Sequence, residues 1–116
     1  MERPSRSILR LAISLAITVP ALGFVAFEAR GAAPAAAVQI KDFAFAPQLL
    51  TVKPGTTVTW VNSDEDPHTV TATDKSFHSA ALDTRDKFSF TFTKPGQYGY
   101  FCSLHPHMTA KVIVRG

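Results

Sequence analysis

The stretch Tyr98-Gly99-Tyr100-Phe101-Cys102-Ser103-Leu104-His105-Pro106-His107-Met108 is the most informative part of this 116-residue chain. It contains the only cysteine, two of the four histidines and the only methionine other than the initiator. The residues before Cys102 predict a strand, which would hold the backbone of the cysteine rigidly. The Cys-x2-His-x2-Met spacing is short enough for one loop to present all three side chains to a single ion. A thiolate, an imidazole and a thioether suit a soft metal that changes its charge by one electron, and copper fits best.

A fourth metal ligand has to come from elsewhere in the chain, and His68 is the best candidate. It follows Pro67 in an acidic loop and lies 34 residues before Cys102. His78 is the rival, but its neighbours predict an exposed loop. Two imidazoles, a thiolate and a weakly bound thioether form a blue-copper arrangement. We therefore predict a metal site made of His68, Cys102, His105 and Met108.

Two other kinds of site fit the same residues less well. Zinc would accept the two histidines and the cysteine, but it would leave Met108 unexplained because thioethers are not zinc ligands. Nucleophilic catalysis by Cys102 lacks an orienting acid and an oxyanion-binding feature. We therefore do not expect an enzyme.

The first 37 residues are predicted to be a cleaved signal peptide. Arg3, Arg6 and Arg10 precede an apolar run over residues 11–27, and Ala35-Ala36-Ala37 provides a small-residue cleavage site that leaves Val38 as the first mature residue. The alternative is an uncleaved anchor, since the apolar run is close to the lower limit for spanning a bilayer. In the cleaved case we expect a periplasmic protein with no stable membrane insertion.

Residues 38–116 are predicted to form one small domain. This segment holds eight basic and seven acidic residues, a net charge of +1, so most of the basic excess belongs to the signal peptide. No basic stripe interleaved with aromatic residues is present, and no nucleic-acid partner is expected. A lone cysteine cannot form an internal disulfide, but a bound metal would stabilise so small a domain.

The hydrophobic pattern of this domain predicts short strands without any helix. Alternation and turn residues indicate seven strands, at 38–43, 48–52, 56–62, 69–73, 87–92, 97–101 and 110–114. Such a pattern is typical of an antiparallel β-sandwich. The two copies of Lys-Pro-Gly, at 53–55 and 94–96, are predicted to be hairpin turns.

The chain resembles the cupredoxins, and among them the amicyanins most closely, over nearly all of residues 40–115. The resemblance rests on these pieces of sequence: Val58-Thr59-Trp60-Val61-Asn62, Asp66-Pro67-His68, Phe90-Thr91-Phe92-Thr93-Lys94-Pro95-Gly96, Tyr98-Gly99-Tyr100-Phe101-Cys102 and His105-Pro106-His107-Met108. It implies a Greek-key β-sandwich with one type 1 copper ion held by His68, Cys102, His105 and Met108. It also implies a monomeric periplasmic electron carrier, with redox partners such as c-type cytochromes or a periplasmic dehydrogenase. The same ligands would serve a protein for copper storage or delivery, and this alternative stays open.

Three residues depart from the amicyanin pattern. Leu104 replaces a proline, and we hypothesise that its N–H points at the Cys102 sulfur. Thr69 replaces an asparagine; its N–H is expected to reach the sulfur and its hydroxyl to tie the two ligand loops together. His107 replaces a phenylalanine of the apolar surface near the exposed histidine ligand, which leaves the usual docking partner in doubt.

Overall fold

The computed structural model describes residues 33–116, so most of the predicted signal peptide lies outside the described residues. The described part of the chain is all β, with these strands in order: β1 Ala35–Lys41, β2 Ala44–Ala46, β3 Leu49–Val52, β4 Thr56–Asn62, β5 Thr71–Ala72, β6 Lys87–Phe92, β7 Gly96–Cys102 and β8 His105–Val114. Over these residues there is no helix of the length and apolarity needed to cross a membrane.

The strands form two four-stranded sheets, with the orders β2-β1-β4-β6 and β3-β8-β7-β5. The all-β sandwich predicted from the sequence is confirmed. The sheets are mixed rather than purely antiparallel, because β1 runs parallel to β4 and β3 runs parallel to β8. A hydrophobic pattern shows which face of a strand is buried, but it does not show the direction of the neighbouring strand.

The two Lys-Pro-Gly turns connect the two sheets, and the prediction that they are hairpins was wrong. One leads from β3 to β4 and the other from β6 to β7, and in each case the two strands belong to different sheets. The turns lie at the same end of the sandwich, since the Gly55 N–H donates to the Phe92 carbonyl oxygen at 2.6 Å. Gly55 has a φ of +89°, a conformation that glycine adopts without steric cost. Strands β4 and β7 both start at this end and run to the opposite end, where the candidate metal ligands lie.

The core lies between the sheets and is built on alternation. Along β4, Val58 and Trp60 are fully buried while Thr57, Thr59 and Val61 are half-buried, as the sequence pattern predicted. The Trp60 ring lies 5.5–6.3 Å, between ring centroids, from four other aromatic rings, those of Phe77, Phe88, Phe92 and Tyr100. Aromatic pairs at such distances add to the free energy of burial. This aromatic cluster belongs to the hydrophobic core between the two sheets.

Two differences from the predicted strands matter for the site. Strand β2 was not predicted, because it is short and follows the two-residue turn Asp42-Phe43, which lacks the usual Asn-Gly signal of a hairpin. Strand β8 begins at His105 rather than at residue 110, so the predicted ligand loop is a tight turn flanked by paired strands.

Candidate metal centre

Strand β7 ends at Cys102 and places its side chain on the core side of the sandwich. Side chains alternate across a strand, so Cys102 points inward with Tyr100, and both are buried. Ser103 and Leu104 then make a two-residue turn, after which His105 pairs with Cys102 across the hairpin. This turn accounts for the Cys-x2-His spacing, since it is the shortest connection that brings the two side chains opposite each other.

A bulge in β8 explains the second half of the motif. The strand register jumps from the pair Phe101–Thr109 to the pair Cys102–His105, which leaves residues 106–108 without partners on β7. A bulge of this kind redirects side chains and is common beside functional sites. Here His105 is half-buried and Met108 is buried in the core cluster that also contains Cys102, although a regular strand would place them on opposite faces.

Three of the predicted ligands converge on one point. The Cys102 Sγ lies 3.7 Å from the His68 Nδ1 and 3.6 Å from the His105 Nδ1. All three ligand atoms lie within 4.8 Å of one another. Three donor atoms at these separations could be shared by one metal ion. A thiolate with two imidazoles would suit copper in its chemistry.

His68 is fully buried, and its surroundings fix which ring nitrogen faces the site. Its backbone pairs with Leu82 through two hydrogen bonds, from His68 N to Leu82 O at 3.1 Å and from Leu82 N to His68 O at 2.7 Å. Its Nε2 lies 2.8 Å from the Asp64 carboxylate. A carboxylate accepts the Nε2 proton, which leaves the lone pair on Nδ1 directed at the site. His68 is thus oriented for metal binding by the protein alone.

Asp64 is a residue of the site that the sequence interpretation missed, because an acidic residue in a polar loop is usually solvated. Its Oδ1 accepts the Asp42 N–H at 2.7 Å, and its Oδ2 accepts the Phe43 N–H at 3.0 Å. Burial alone would raise the pKa of Asp64. The hydrogen bonds that the carboxylate accepts from Phe43, Asp42 and His68 outweigh this effect and hold the pKa of Asp64 below its ordinary value of 3.8. The available sequence signal was an acid four residues before the histidine.

Asn62 shapes the loop that carries Asp64 and His68. It is fully buried at the end of β4, and its side-chain amide donates to the carbonyl oxygens of Asp66 and Leu82, both at 2.9 Å. Its side-chain oxygen accepts the Asp64 N–H at 2.9 Å. Because a buried amide with several partners is costly to disturb, Asn62 fixes the path of the chain into the site.

Thr69 links the two ligand segments, as predicted. Its N–H donates to the Cys102 sulfur at 3.3 Å, and its hydroxyl oxygen accepts the Ser103 N–H at 2.7 Å. Its hydroxyl also lies 2.8 Å from the Ser103 hydroxyl. The hypothesis for Leu104 was wrong: among residues 33–116, the Thr69 N–H donates to the sulfur and the Leu104 N–H does not. The two-residue turn directs Leu104 toward solvent, where half of its surface is exposed.

The remaining histidines lie outside the cluster. His78 is exposed, as predicted; its backbone pairs with Thr71, and its ring is not part of the group of converging ligand atoms. His107 is exposed on the β8 bulge, with its ring centroid 6.4 Å from that of His105.

A buried thiol between two oriented imidazoles, at the end of a mixed β-sandwich, is a donor set that suits copper. The sequence matches the copper binding proteins of the plastocyanin/azurin family over residues 32–115, and the chain belongs to this family. It is similar to amicyanin-alpha from Methylorubrum extorquens, with 34% identity over 101 residues that cover 81% of this chain and 85% of the relative. The resemblance to the cupredoxins and amicyanins is therefore confirmed, and copper is the cofactor of the family.

Two solved structures place the fold among copper proteins. A purple cupredoxin from Nitrosopumilus maritimus has a TM-score of 0.67 and 33% identity, over 69% of this chain and 99% of that chain. A copper-containing nitrite reductase from Thermus scotoductus has a TM-score of 0.66 and 32% identity, over 72% of this chain but only 22% of that chain. The fold thus occurs both alone and as one part of a larger enzyme.

Proposed function

We propose that His68, Cys102, His105 and Met108 bind one type 1 copper ion, and that the protein carries single electrons between redox partners in the periplasm. The observation that carries the proposal is the buried Cys102 Sγ at 3.6–3.7 Å from two imidazole nitrogens. Bound copper supplies a centre that alternates between Cu(I) and Cu(II) and so carries one electron at a time.

The residues around the site favour this role because they hold two of the proposed ligands through hydrogen bonds. Asp64 fixes the tautomer of His68, and Thr69 fixes the Cys102 sulfur through an N–H. A site that is already organised needs little rearrangement when the charge on the metal changes. We assign Met108 as the fourth ligand because the β8 bulge buries it beside the cluster.

We propose that electrons enter and leave at His105, the one ligand histidine that is partly exposed. The residues Pro67, Leu104, Pro106 and His107 are exposed beside it and would form a small docking face suited to a transient encounter. His107 places a polar ring on this otherwise apolar face, and the partner has to accommodate it.

The distribution of charge favours a partner with a basic surface, such as a c-type cytochrome. At the metal end of the sandwich the exposed acids outnumber the exposed bases: the acids are Asp42, Glu65, Asp66, Asp83 and Asp86, and the bases are Lys41, Arg85 and Lys87. Lys53 and Lys94 lie in the two turns at the opposite end. This polarity would direct the metal end toward a cationic partner, because oppositely charged surfaces steer diffusional encounter.

Reversible electron transfer is the test of this function. The copper-loaded protein should cycle between its two oxidation states in voltammetry without losing metal. It should also react rapidly with a c-type cytochrome, and added salt should slow this reaction. A copper-delivery protein would instead pass its copper to an acceptor domain and react slowly with the cytochrome. That result would overturn the proposal of an electron carrier, and turnover of nitrite would overturn the proposal that the protein is not an enzyme.

Export to the periplasm and cleavage after Ala37 are proposed from the signal-like segment. The proposed cleavage point lies inside β1, where Ala35–Ala37 pair with Thr57–Thr59. Cleavage there would remove three alanines that are exposed or half-buried and would keep the buried Val38 and Ile40. The test is the mass of the protein in the periplasmic fraction of an expressing bacterium. A mass lacking residues 1–37 is expected, and a full-length protein in the membrane fraction would indicate an anchor.

A further inference from the structure

Phe43 packs against both candidate histidine ligands. Its ring centroid lies 5.2 Å from that of His68 and 5.0 Å from that of His105, with interplanar angles of 88° and 90°. Phe43 is also one of the few large apolar side chains that are exposed in residues 33–116, with 41% of its surface accessible. The ring therefore lies between solvent and the two imidazoles.

The backbone that presents this ring is strained. Asp42 has a φ of +52° and Phe43 a φ of +56°, in the two-residue turn between β1 and β2. Residues other than glycine rarely adopt this left-handed backbone conformation, and it is disfavoured for a bulky aromatic residue. Strained backbone persists only where the surrounding structure holds it, and such sites often serve function.

The Asp64 carboxylate holds the strained turn. It accepts the N–H of Asp42 at 2.7 Å and the N–H of Phe43 at 3.0 Å. The same carboxylate accepts the Nε2 proton of His68 at 2.8 Å. One side chain thus connects the turn that carries Phe43 to the ligand that Phe43 covers.

We propose that Phe43 is a positioning residue that shields the metal centre, and that Asp64 locks this shield to His68. In this arrangement the ring restricts water, small anions and competing chelators from the side of the site formed by the two imidazoles. The rate at which copper enters or leaves is then set by the β1–β2 turn as well as by the ligands. This inference rests on the proposed copper ligands and adds a control over access to them.

The test compares four variants of the copper-loaded protein. Phe43→Ala removes the shield, and Phe43→Leu keeps an apolar cover of smaller size. Asp64→Asn keeps the shape of the side chain but replaces one acceptor oxygen with an amide that cannot accept an N–H. Leu49→Ala is the control, because Leu49 is another exposed apolar side chain, with 59% of its surface accessible, and it lies on β3, outside the candidate ligands and the docking face. The readouts are the rate of copper loss to excess EDTA, the change in the visible spectrum on adding azide, and the melting temperature of the metal-free protein.

We expect Phe43→Ala to raise the rate of copper loss by about tenfold or more, the scale on which residues behind the ligands affect metal sites, and to let azide change the spectrum. Asp64→Asn should change the rate of copper loss and the azide spectrum in the same direction, Phe43→Leu should change them less, and Leu49→Ala should match the parent protein. Equal rates and equal azide spectra in the parent and Phe43→Ala would overturn the shield, as would a Leu49→Ala effect as large as that of Phe43→Ala. If the melting curve shows that Phe43→Ala does not fold, the rate of copper loss and the azide spectrum of Phe43→Leu decide whether Phe43 shields the site. A parent protein that binds no copper would refute the proposed ligands themselves, which separates the two failures.

Discussion

Replacing Thr69 by valine tests whether the two ligand segments are joined by one hydroxyl. Valine keeps the shape of threonine, so no cavity forms, but Ser103 N–H loses an acceptor at 2.7 Å and the hydroxyls of Ser103 and Thr71 lose a neighbour at 2.8 Å and 3.0 Å. A lost hydrogen bond costs about 0.5–1.5 kcal/mol net, and a buried donor left without a partner costs more. Ser103 is exposed, so water replaces part of the loss.

We therefore expect the free energy of unfolding of the metal-free protein to fall by about 1–2 kcal/mol. For a domain of this size the melting temperature should fall by about 4–16 °C. Urea titration and thermal melting followed by circular dichroism measure both quantities. Thr69→Ser is the matched control, since it keeps the hydroxyl and should keep the bridge. A double-mutant cycle of Thr69→Val with Ser103→Ala gives the separate contribution of the bridge between the two hydroxyls.

An unfolding free energy of Thr69→Val within about 0.3 kcal/mol of the parent, a difference expected for a surface change, would refute a link through this hydroxyl. Effects of Ser103→Ala and Thr69→Val that add without coupling would also refute it, because the two hydroxyls lie 2.8 Å apart. The visible spectrum of the copper-loaded variant should be nearly unchanged, since the Thr69 backbone N–H still reaches the sulfur.

Three further predictions follow from buried and exposed residues around the core and the site. Burial raises the pKa of Tyr100 to about 12, so the unfolded chain releases the phenol proton first and the folded state is destabilised between pH 10 and pH 12. Tyr100→Phe should abolish about 1–2 kcal/mol of this loss at pH 11–12. It should be nearly neutral at pH 7, because the buried hydroxyl has no hydrogen-bond partner among the described residues. A difference in unfolding free energy between the two proteins that stays the same across pH would contradict this prediction. Met108→Leu should change the unfolding free energy of the metal-free protein by less than about 1.5 kcal/mol, because the side-chain volume is conserved. Its Cu(I) affinity in a competition assay should fall about tenfold. Unchanged Cu(I) affinity would remove Met108 from the ligand set. His78→Ala should leave copper stoichiometry and the visible spectrum unchanged, since His78 is exposed and outside the cluster, and a lost spectrum would show that the rival assignment is correct.

The sequence predicted the strands that carry strong alternation. Residues 56–62 and 87–92 coincide with β4 and β6 because each has a large apolar residue at every second position and a turn at its end. The same rule did not identify β2, which has a single buried residue, Phe45. It also did not identify the start of β8, because the bulge at residues 106–108 breaks the alternation where the ligands lie.

The candidate site was predictable to the extent that it depends on unusual residue types. A single cysteine with a histidine and a methionine nearby restricted the choice of metal, and Thr69 could be placed through the resemblance to the amicyanins. Asp64 and Phe43 could not be predicted, because their roles depend on a turn that approaches the acidic loop from a distant part of the chain. An acidic residue in a polar loop is usually solvated, and only the fold shows that this one supports a histidine.

A stoichiometric titration of the metal-free protein with Cu(II), followed by visible absorption, tests most directly whether the four side chains share one copper ion. We expect an intense thiolate-to-copper band at about 600 nm that grows linearly to one equivalent and then stops. Cys102→Ser should show no such band, and it is the matched control because it removes only the sulfur. The absence of the band in the parent protein, or a band that needs two equivalents, would contradict a single centre made of His68, Cys102, His105 and Met108.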